Sequence, residues 1–224
     1  HTADLEVCAT APPSLPSFKT LCGGEALDLR LAQQLLSDAS ELWNLYGPTE
    51  TTIWSGALKI TRDHLARGYV PVGGPIANTG FHVLDEKYHP VPIGIAGQLH
   101  ISGSGLSSGY HNRDSLTQER FLQIPDRRYA TGDRVRFREN GTLEFLGRMD
   151  HQIKLRGFRI ELGEIESQIT SHPAVDNALV TLVGQNDTAY LTAYCSVIAP
   201  LDANALREHI CQRLPSYMVP SEFA

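Results

Sequence analysis

Apolar positions in the first part of the chain change their spacing twice. The short run FKTLC at residues 18–22 ends at Gly23-Gly24, Leu27, Leu31 and Leu35 then recur at i, i+4 and i+8, and ELWNLY follows at residues 41–46. Steps of four place the leucines on one helix face, and the flanking runs read as strands, so residues 18–58 predict a β-α-β unit in a sheet covered by helices. From residue 71 to 147 the pattern shortens to GFHVLD, GQLHIS, DRVRF and TLEFLG, broken by Gly and Pro. Glu139-Asn140-Gly141 joins the last two as a predicted hairpin whose central positions favour positive φ. These strands predict a small antiparallel sheet or a barrel-like subdomain. Beyond residue 150 come a short hairpin around Arg156-Gly157, a helix ELGEIESQITS, strands AVDNALVTLV and AYLTAYCSVI linked by GQND, and a helix over 202–213. That order predicts a two-layer α+β lid. No internal repeat is present.

Composition narrows the function classes. With 42% hydrophobic and 20% charged residues the chain can bury a core, and a net charge of −6 argues against nucleic acid as the main ligand while leaving room for a single nucleotide. Cys8, Cys22, Cys195 and Cys211 show no CxxC spacing. Neither a zinc site nor a disulfide framework is expected, and the reading is a reducing, cytoplasmic compartment. No run is long enough to predict a membrane span, and the start HTADLEV has neither the basic nor the apolar region of a signal peptide. It also lacks an initial Met, from which an upstream part is expected.

Two stretches carry candidate chemistry. In LWNLYGPTETTIW, Asn44 and Tyr46 lie two apart at the end of a predicted strand, where ligands of α/β sheets sit. A tyrosine face can stack on a base and an amide can read its edge. Glu50, past the turn, has the hard oxygen that suits Mg²⁺. The alternative is a Gly-Pro turn with solvated polar residues. In YATGDRVRFRENGTLEFLG, Asp133 follows a Gly at the start of a hairpin and can accept from both hydroxyls of a ribose, with Phe145 as an aromatic wall. Here the alternative is plain turn chemistry.

Taken together and in order, GGEAL, NLYGPTETT, GQLHISGSGLSSGYHNRDSLTQERF, YATGDR, GRMDHQIKLRGFRIELGEIE and LPSYMVP resemble the core motifs of nonribosomal peptide synthetase adenylation domains. These belong to the adenylate-forming superfamily, with acyl-CoA synthetases and firefly luciferase. The resemblance runs from about residue 21 to 220. It implies the end of a large layered α/β core over 1–75, a β-rich subdomain over 76–149 and a mobile α+β lid over 150–224. It further implies that Asn44, Tyr46, Gly47 and the strip Gly23, Gly24, Glu25 contact adenine. Thr49 and Glu50 would handle phosphate and Mg²⁺, Asp133 the ribose, and Phe145 stands where the family often has Tyr. Arg148 is similar to a basic residue near ribose and phosphate, and Asp150 resembles the hinge. Lys154 belongs to the loop that faces the active site in thioester formation, and Gly157 to the pantetheine path. Leu21, Gly23, Leu45, Ile53 and Trp54 would line an apolar side-chain pocket.

The implied reaction uses ATP and Mg²⁺ to make an aminoacyl-AMP. The pantetheine thiol of a peptidyl carrier protein, the partner beside neighbouring synthetase domains, then takes the acyl group. Two family features are missing: an STGxPKG-type phosphate loop, and the NGK segment expected after SEFA. The chain by itself is therefore expected to be inactive. The alternatives are an acyl- or aryl-CoA ligase of the same superfamily, and a noncatalytic docking module that keeps the fold.

Overall fold

The computed structural model describes residues 18–150, 152–184 and 188–224. Packing separates them into two compact units that part between Leu146 and Gly147.

The first unit holds two sheets. Strands β1 (Lys19–Cys22) and β2 (Glu41–Tyr46) pair in parallel across helix α1 (Leu29–Asp38), with Cys22 opposite Asn44. The helix starts where the Asp28 carboxylate accepts the backbone N–H groups of Arg30 and Leu31, at 2.9 and 3.1 Å. This cap corrects the expected leucine stripe. Leu27 precedes the helix but packs against the same core as Leu35, and Leu31 is exposed. The inward face is Leu29, Ala32, Leu35 and Leu36, packed with Leu42, Ile60 and Leu65. Ala32 sits at its centre, and Leu31 lies about 100° further round the helix. Strand β3 (Gly56–Ile60) runs antiparallel to β2, helix α2 (Arg62–Leu65) follows, and β4 (Gly74–Pro75) closes this sheet against β3.

The second sheet contains β5 (Thr79–Leu84), β6 (Gly97–Gly103), β7 (Phe121–Gln123) behind helix α3 (Asp114–Arg120), β8 (Arg127–Phe137) and β9 (Leu143–Arg148). Its order is β5-β6-β8-β7, with β9 also on β8. Among the described residues no strand pairing joins β7 or β9 back to β5, so these strands form an open antiparallel sheet and no closed barrel. One 11-residue strand, β8, serves β6, β7 and β9. The core on this sheet is Val72, Val83, Leu99, Ile101, Val135 and Leu143, with Tyr46, Phe81 and Phe145 against it.

The hairpin at residues 138–142 also differs from expectation. Gly141 has φ 76°, Asn140 is not left-handed, and the Gly141 N–H donates to the Arg138 carbonyl at 2.8 Å. This is a three-residue connection with one left-handed glycine.

The second unit begins with the hairpin of β10 (Gln152–Leu155) and β11 (Phe158–Glu161). Here both turn residues are left-handed, Arg156 at φ 51° and Gly157 at φ 80°. Helix α4 (Leu162–Thr170), strands β12 (Val175–Val183) and β13 (Tyr190–Val197), helix α5 (Ala203–Cys211) and strand β14 (Glu222–Phe223) follow. Both helices cover one face of the sheet β12-β13-β14 around Ile160, Ile165, Ile169, Val180, Leu191, Ala193, Leu206 and Ile210. The parallel edge strand β14, made from SEFA, has no counterpart in the periodicity of the sequence. Among the described residues no helix is long and apolar enough to cross a membrane.

Candidate functional site

In the first unit, β2 delivers Asn44 and Tyr46 to its C-terminal end. The buried Asn44 donates its Nδ2 to the Pro71 carbonyl at 2.8 Å, anchoring the segment before β4. Tyr46 reaches across the unit, and its hydroxyl donates to the Asp133 carboxylate, 87 residues away. The Tyr46 ring stands edge-on to Phe81 with centroids 6.1 Å apart, and Phe145 packs on the same cluster.

Asp133 lies within β8, in the part of the strand that runs on into the hairpin with β9. Pairing with β6 slips between Gln98 and His100, so Thr131, Gly132 and Asp133 bulge opposite Leu99. A bulge re-aims side chains, and this one is pinned. Thr131 donates its hydroxyl to the Leu99 carbonyl at 2.8 Å, and the Asp133 N–H donates to Thr131 Oγ1 at 2.9 Å.

After β2 the chain makes a crowded turn. The Ser55 N–H returns to the Tyr46 carbonyl at 2.7 Å, so a Cβ on Gly47 would stand 2.4 Å from the Ile53 carbonyl oxygen. Thr52 and Ile53 are both left-handed, at φ 63° and 66°, which is strained for a β-branched residue. Glu50 and Thr51 are buried, while Thr49 is exposed. Glu50 accepts the Tyr110 hydroxyl at 2.6 Å on Oε1. Of the predicted pocket residues, Leu45 is buried against Gly23, where a Cβ would meet the Leu45 carbonyl at 3.0 Å. Leu21, Ile53 and Trp54 are exposed. Gly24 is left-handed at φ 91°, and Glu25 beside it is exposed.

The opposite face of the second sheet holds a group that motif reading passed over. His82 and His100 are directly paired across β5 and β6. His100 is fully buried, and neither ring nitrogen has a hydrogen-bond partner. Burial, then the nearby Arg128 charge and His82, hold its pKa down to about 4.

In the second unit, Arg148 clasps Asp150 with two parallel bonds, Nε to Oδ1 and Nη2 to Oδ2, each 2.6 Å. Asp150 also accepts the Gln152 N–H at 3.3 Å. Lys154 lies opposite Arg159 in the β10–β11 hairpin and is exposed, as is Gly157 in its turn.

Tyr110 is the neighbour that sequence reasoning missed. It stood inside the quoted GYHNRD motif, but nothing local signals a partner 60 residues earlier.

The comparisons with known proteins agree with the motif series. A family profile described as AMP-binding enzyme matches residues 2–111, and one described as AMP-binding enzyme C-terminal domain matches residues 164–224. The chain is 45% identical over 218 residues to a dimodular nonribosomal peptide synthase of Bacillus subtilis (strain 168), covering 95% of this chain and 9% of that protein. It is 41% identical over 209 residues to tyrocidine synthase 3 of Brevibacillus parabrevis, covering 90% of this chain and 3% of that one. Among solved structures, PA1221, an NRPS protein containing adenylation and PCP domains, superposes with a TM-score of 0.79 at 30% identity, over 92% of this chain and 42% of that one. The chain therefore belongs to the AMP-binding enzyme family, with the sequence of the C-terminal portion of a nonribosomal peptide synthetase adenylation domain. It spans under a tenth of the length of the two synthases.

Proposed function

We propose that the complete domain activates an amino acid with ATP. The substrate carboxylate attacks the α-phosphate, forming aminoacyl-AMP and releasing pyrophosphate. The pantetheine thiol of a carrier protein then takes the acyl group and releases AMP. The observation that carries this reading is the Tyr46–Asp133 hydrogen bond. It joins an aromatic face to a buried carboxylate, the pair that an adenosine needs for base and ribose.

In this reading Asp133 accepts from the ribose hydroxyls, Tyr46 and Phe145 flank the nucleoside, and Gly23, Gly24 and Glu25 line the base. Asn44 holds the strand end through Pro71. Thr49 contacts phosphate, and Arg148 supplies positive charge near ribose and phosphate. Leu21, Leu45, Ile53 and Trp54 favour a hydrophobic or long substrate side chain. Asp150 is the hinge, and Lys154 and Gly157 serve the thioester-forming half. The setting is the cytoplasm, with neighbouring synthetase domains.

Mg²⁺ fits the donors present. Glu50 offers one hard-oxygen carboxylate, and among the described residues no cluster of three or more His, Cys, Asp or Glu could hold a metal by itself. Mg²⁺ needs no such cage, because it keeps waters and binds through one or two carboxylates plus substrate phosphates. When bound it would neutralise phosphate charge, and Glu50 would hold it in place.

The test is amino-acid-dependent pyrophosphate exchange by the complete domain over a panel of amino acids, followed by loading of a carrier protein. Exchange restricted to hydrophobic or long side chains, with the acyl group delivered to the carrier thiol, is expected. Thioester formation on free coenzyme A in preference to the carrier would move the assignment to an acyl-CoA ligase, and nucleotide binding without exchange to a docking module.

A further inference from the structure

The loop over residues 103–110 cradles the turn that bears Glu50. The Ser107 N–H donates to the Glu50 carbonyl at 2.8 Å, and the Thr52 hydroxyl donates to the Gly105 carbonyl at 2.7 Å. A Cβ on Gly105 would stand 3.0 Å from the Thr51 carbonyl, so the two backbones are in contact. Glu50 is thus gripped by its main chain from one residue of this loop and by its side chain from another, Tyr110.

Tyr110 is itself held at its backbone and at its ring, and Arg127 braces the residues around it. Its N–H donates to Thr117 Oγ1 at 2.9 Å, and its ring stands edge-on to Phe121 at 5.9 Å. The Arg127 guanidinium lies 4.5 Å above the Phe121 ring and donates to the carbonyls of Ser107 and Ser108 at 2.8 and 2.9 Å. Such a fixed phenol is a directed donor.

We propose that Tyr110 is a positioning residue for Glu50, whose hydroxyl holds the carboxylate in one rotamer so that the nucleotide-bound divalent cation meets a pre-oriented ligand. This rests on the cation reading of Glu50 given above. A glutamate has three side-chain torsions to order when it captures an ion, and a partner that orders them beforehand removes that cost from binding. Partners behind a metal ligand act in this way by fixing its orientation.

The experiment measures cation binding directly. Mn²⁺ is titrated into the complete domain holding a nonhydrolysable ATP analogue, and the free-ion electron paramagnetic resonance signal is followed. Tyr110→Phe keeps the ring on Phe121 and removes only the hydroxyl. It should weaken Mn²⁺ binding about three- to tenfold, Glu50→Gln about tenfold or more, and the double variant no more than Glu50→Gln alone. Unchanged Mn²⁺ affinity in Tyr110→Phe beside a weakened Glu50→Gln would overturn the positioning role and leave the cation site standing. The positioning role falls equally if Tyr110→Phe only lowers the melting temperature. Unchanged affinity in Glu50→Gln defeats the cation reading and this proposal together. Should Tyr110→Phe not fold, Thr117→Val keeps the hydroxyl and loosens the Tyr110 backbone; a weakening of the same sign is expected, and unaltered affinity overturns the proposal.

Discussion

In the turn after β2, a Cβ on Gly47 would stand 2.4 Å from one backbone oxygen and 2.7 Å from the Ser55 nitrogen; in the turn between β10 and β11, a Cβ on Gly157 would meet nothing within 4 Å. Gly47 is required by crowding, because the chain folds back over it to bring Glu50 inside. Gly157 is favoured by torsion, because its φ of 80° completes a two-residue hairpin turn. The surroundings differ in the same sense. Around the first turn the candidate side chains are tied inward, Asn44 to Pro71, Tyr46 to Asp133 and Tyr110 to Glu50. On the second hairpin, Lys154, Arg156, Gly157 and Phe158 are exposed. One turn is closed by bonds to distant elements of its unit, and the other stays at the surface, where the Phe158 ring stacks on Tyr217 with centroids 4.0 Å apart. The pantetheine role proposed for Gly157 therefore stands beside an independent conformational reason for glycine.

The contrast breaks first at Gly47. Gly47→Ala should destabilise the chain by about 2–3 kcal/mol in urea unfolding, since backbone rather than a flexible side chain must move. A cost equal to that of Gly157→Ala would remove the distinction between the turns. Asp133→Asn probes the inward-tied network. It keeps the shape and removes the charge, so calorimetry on the complete domain should read an ATP affinity lower by about 1.5–3 kcal/mol. Unaltered affinity would separate Asp133 from the ribose.

Acid should act on the crowded unit through its second sheet. The folded pKa of His100, about 4, lies below its ordinary value of 6.5, so the unfolded chain binds a proton that the folded chain excludes. The stability is complete above the unfolded pKa and is lost as pH falls toward the folded one. Unfolding free energies from urea titrations at about pH 7.5 and about pH 5 should differ by on the order of 1–2 kcal/mol, and His100→Leu should flatten the slope. His82 and His209 shift in the same direction, so a residual slope is expected in that variant. The smallest effect is reserved for Gly157→Ala. A left-handed alanine in open space costs about 1–2 kcal/mol, and unfolding of the chain should lose no more than that.

The second unit was the more legible of the two. ELGEIESQITS, AVDNALVTLV and AYLTAYCSVI became α4, β12 and β13 within about two residues, because each is a long run with one clear period. Turn chemistry read less well. The Asn-Gly turn adopted the three-residue form, and the two-residue form with both φ positive went to Arg156-Gly157, where the Leu155–Phe158 pairing sets the loop length. The face of α1 was misplaced for a similar reason, since the Asp28 cap and the nearness of the sheet put Ala32 at the centre.

By itself the sequence determined the residue types and the β-α-β order, because motifs and short periodicities are local properties of the chain. It marked Asn44, Tyr46, Glu50 and Asp133 as chemistry worth placing. Only the tertiary structure decided what each one touches. The Tyr46–Asp133 and Tyr110–Glu50 bonds span 87 and 60 residues. No spacing rule reaches so far, since such pairings depend on how β2 meets a bulge in β8 and how one loop closes on another.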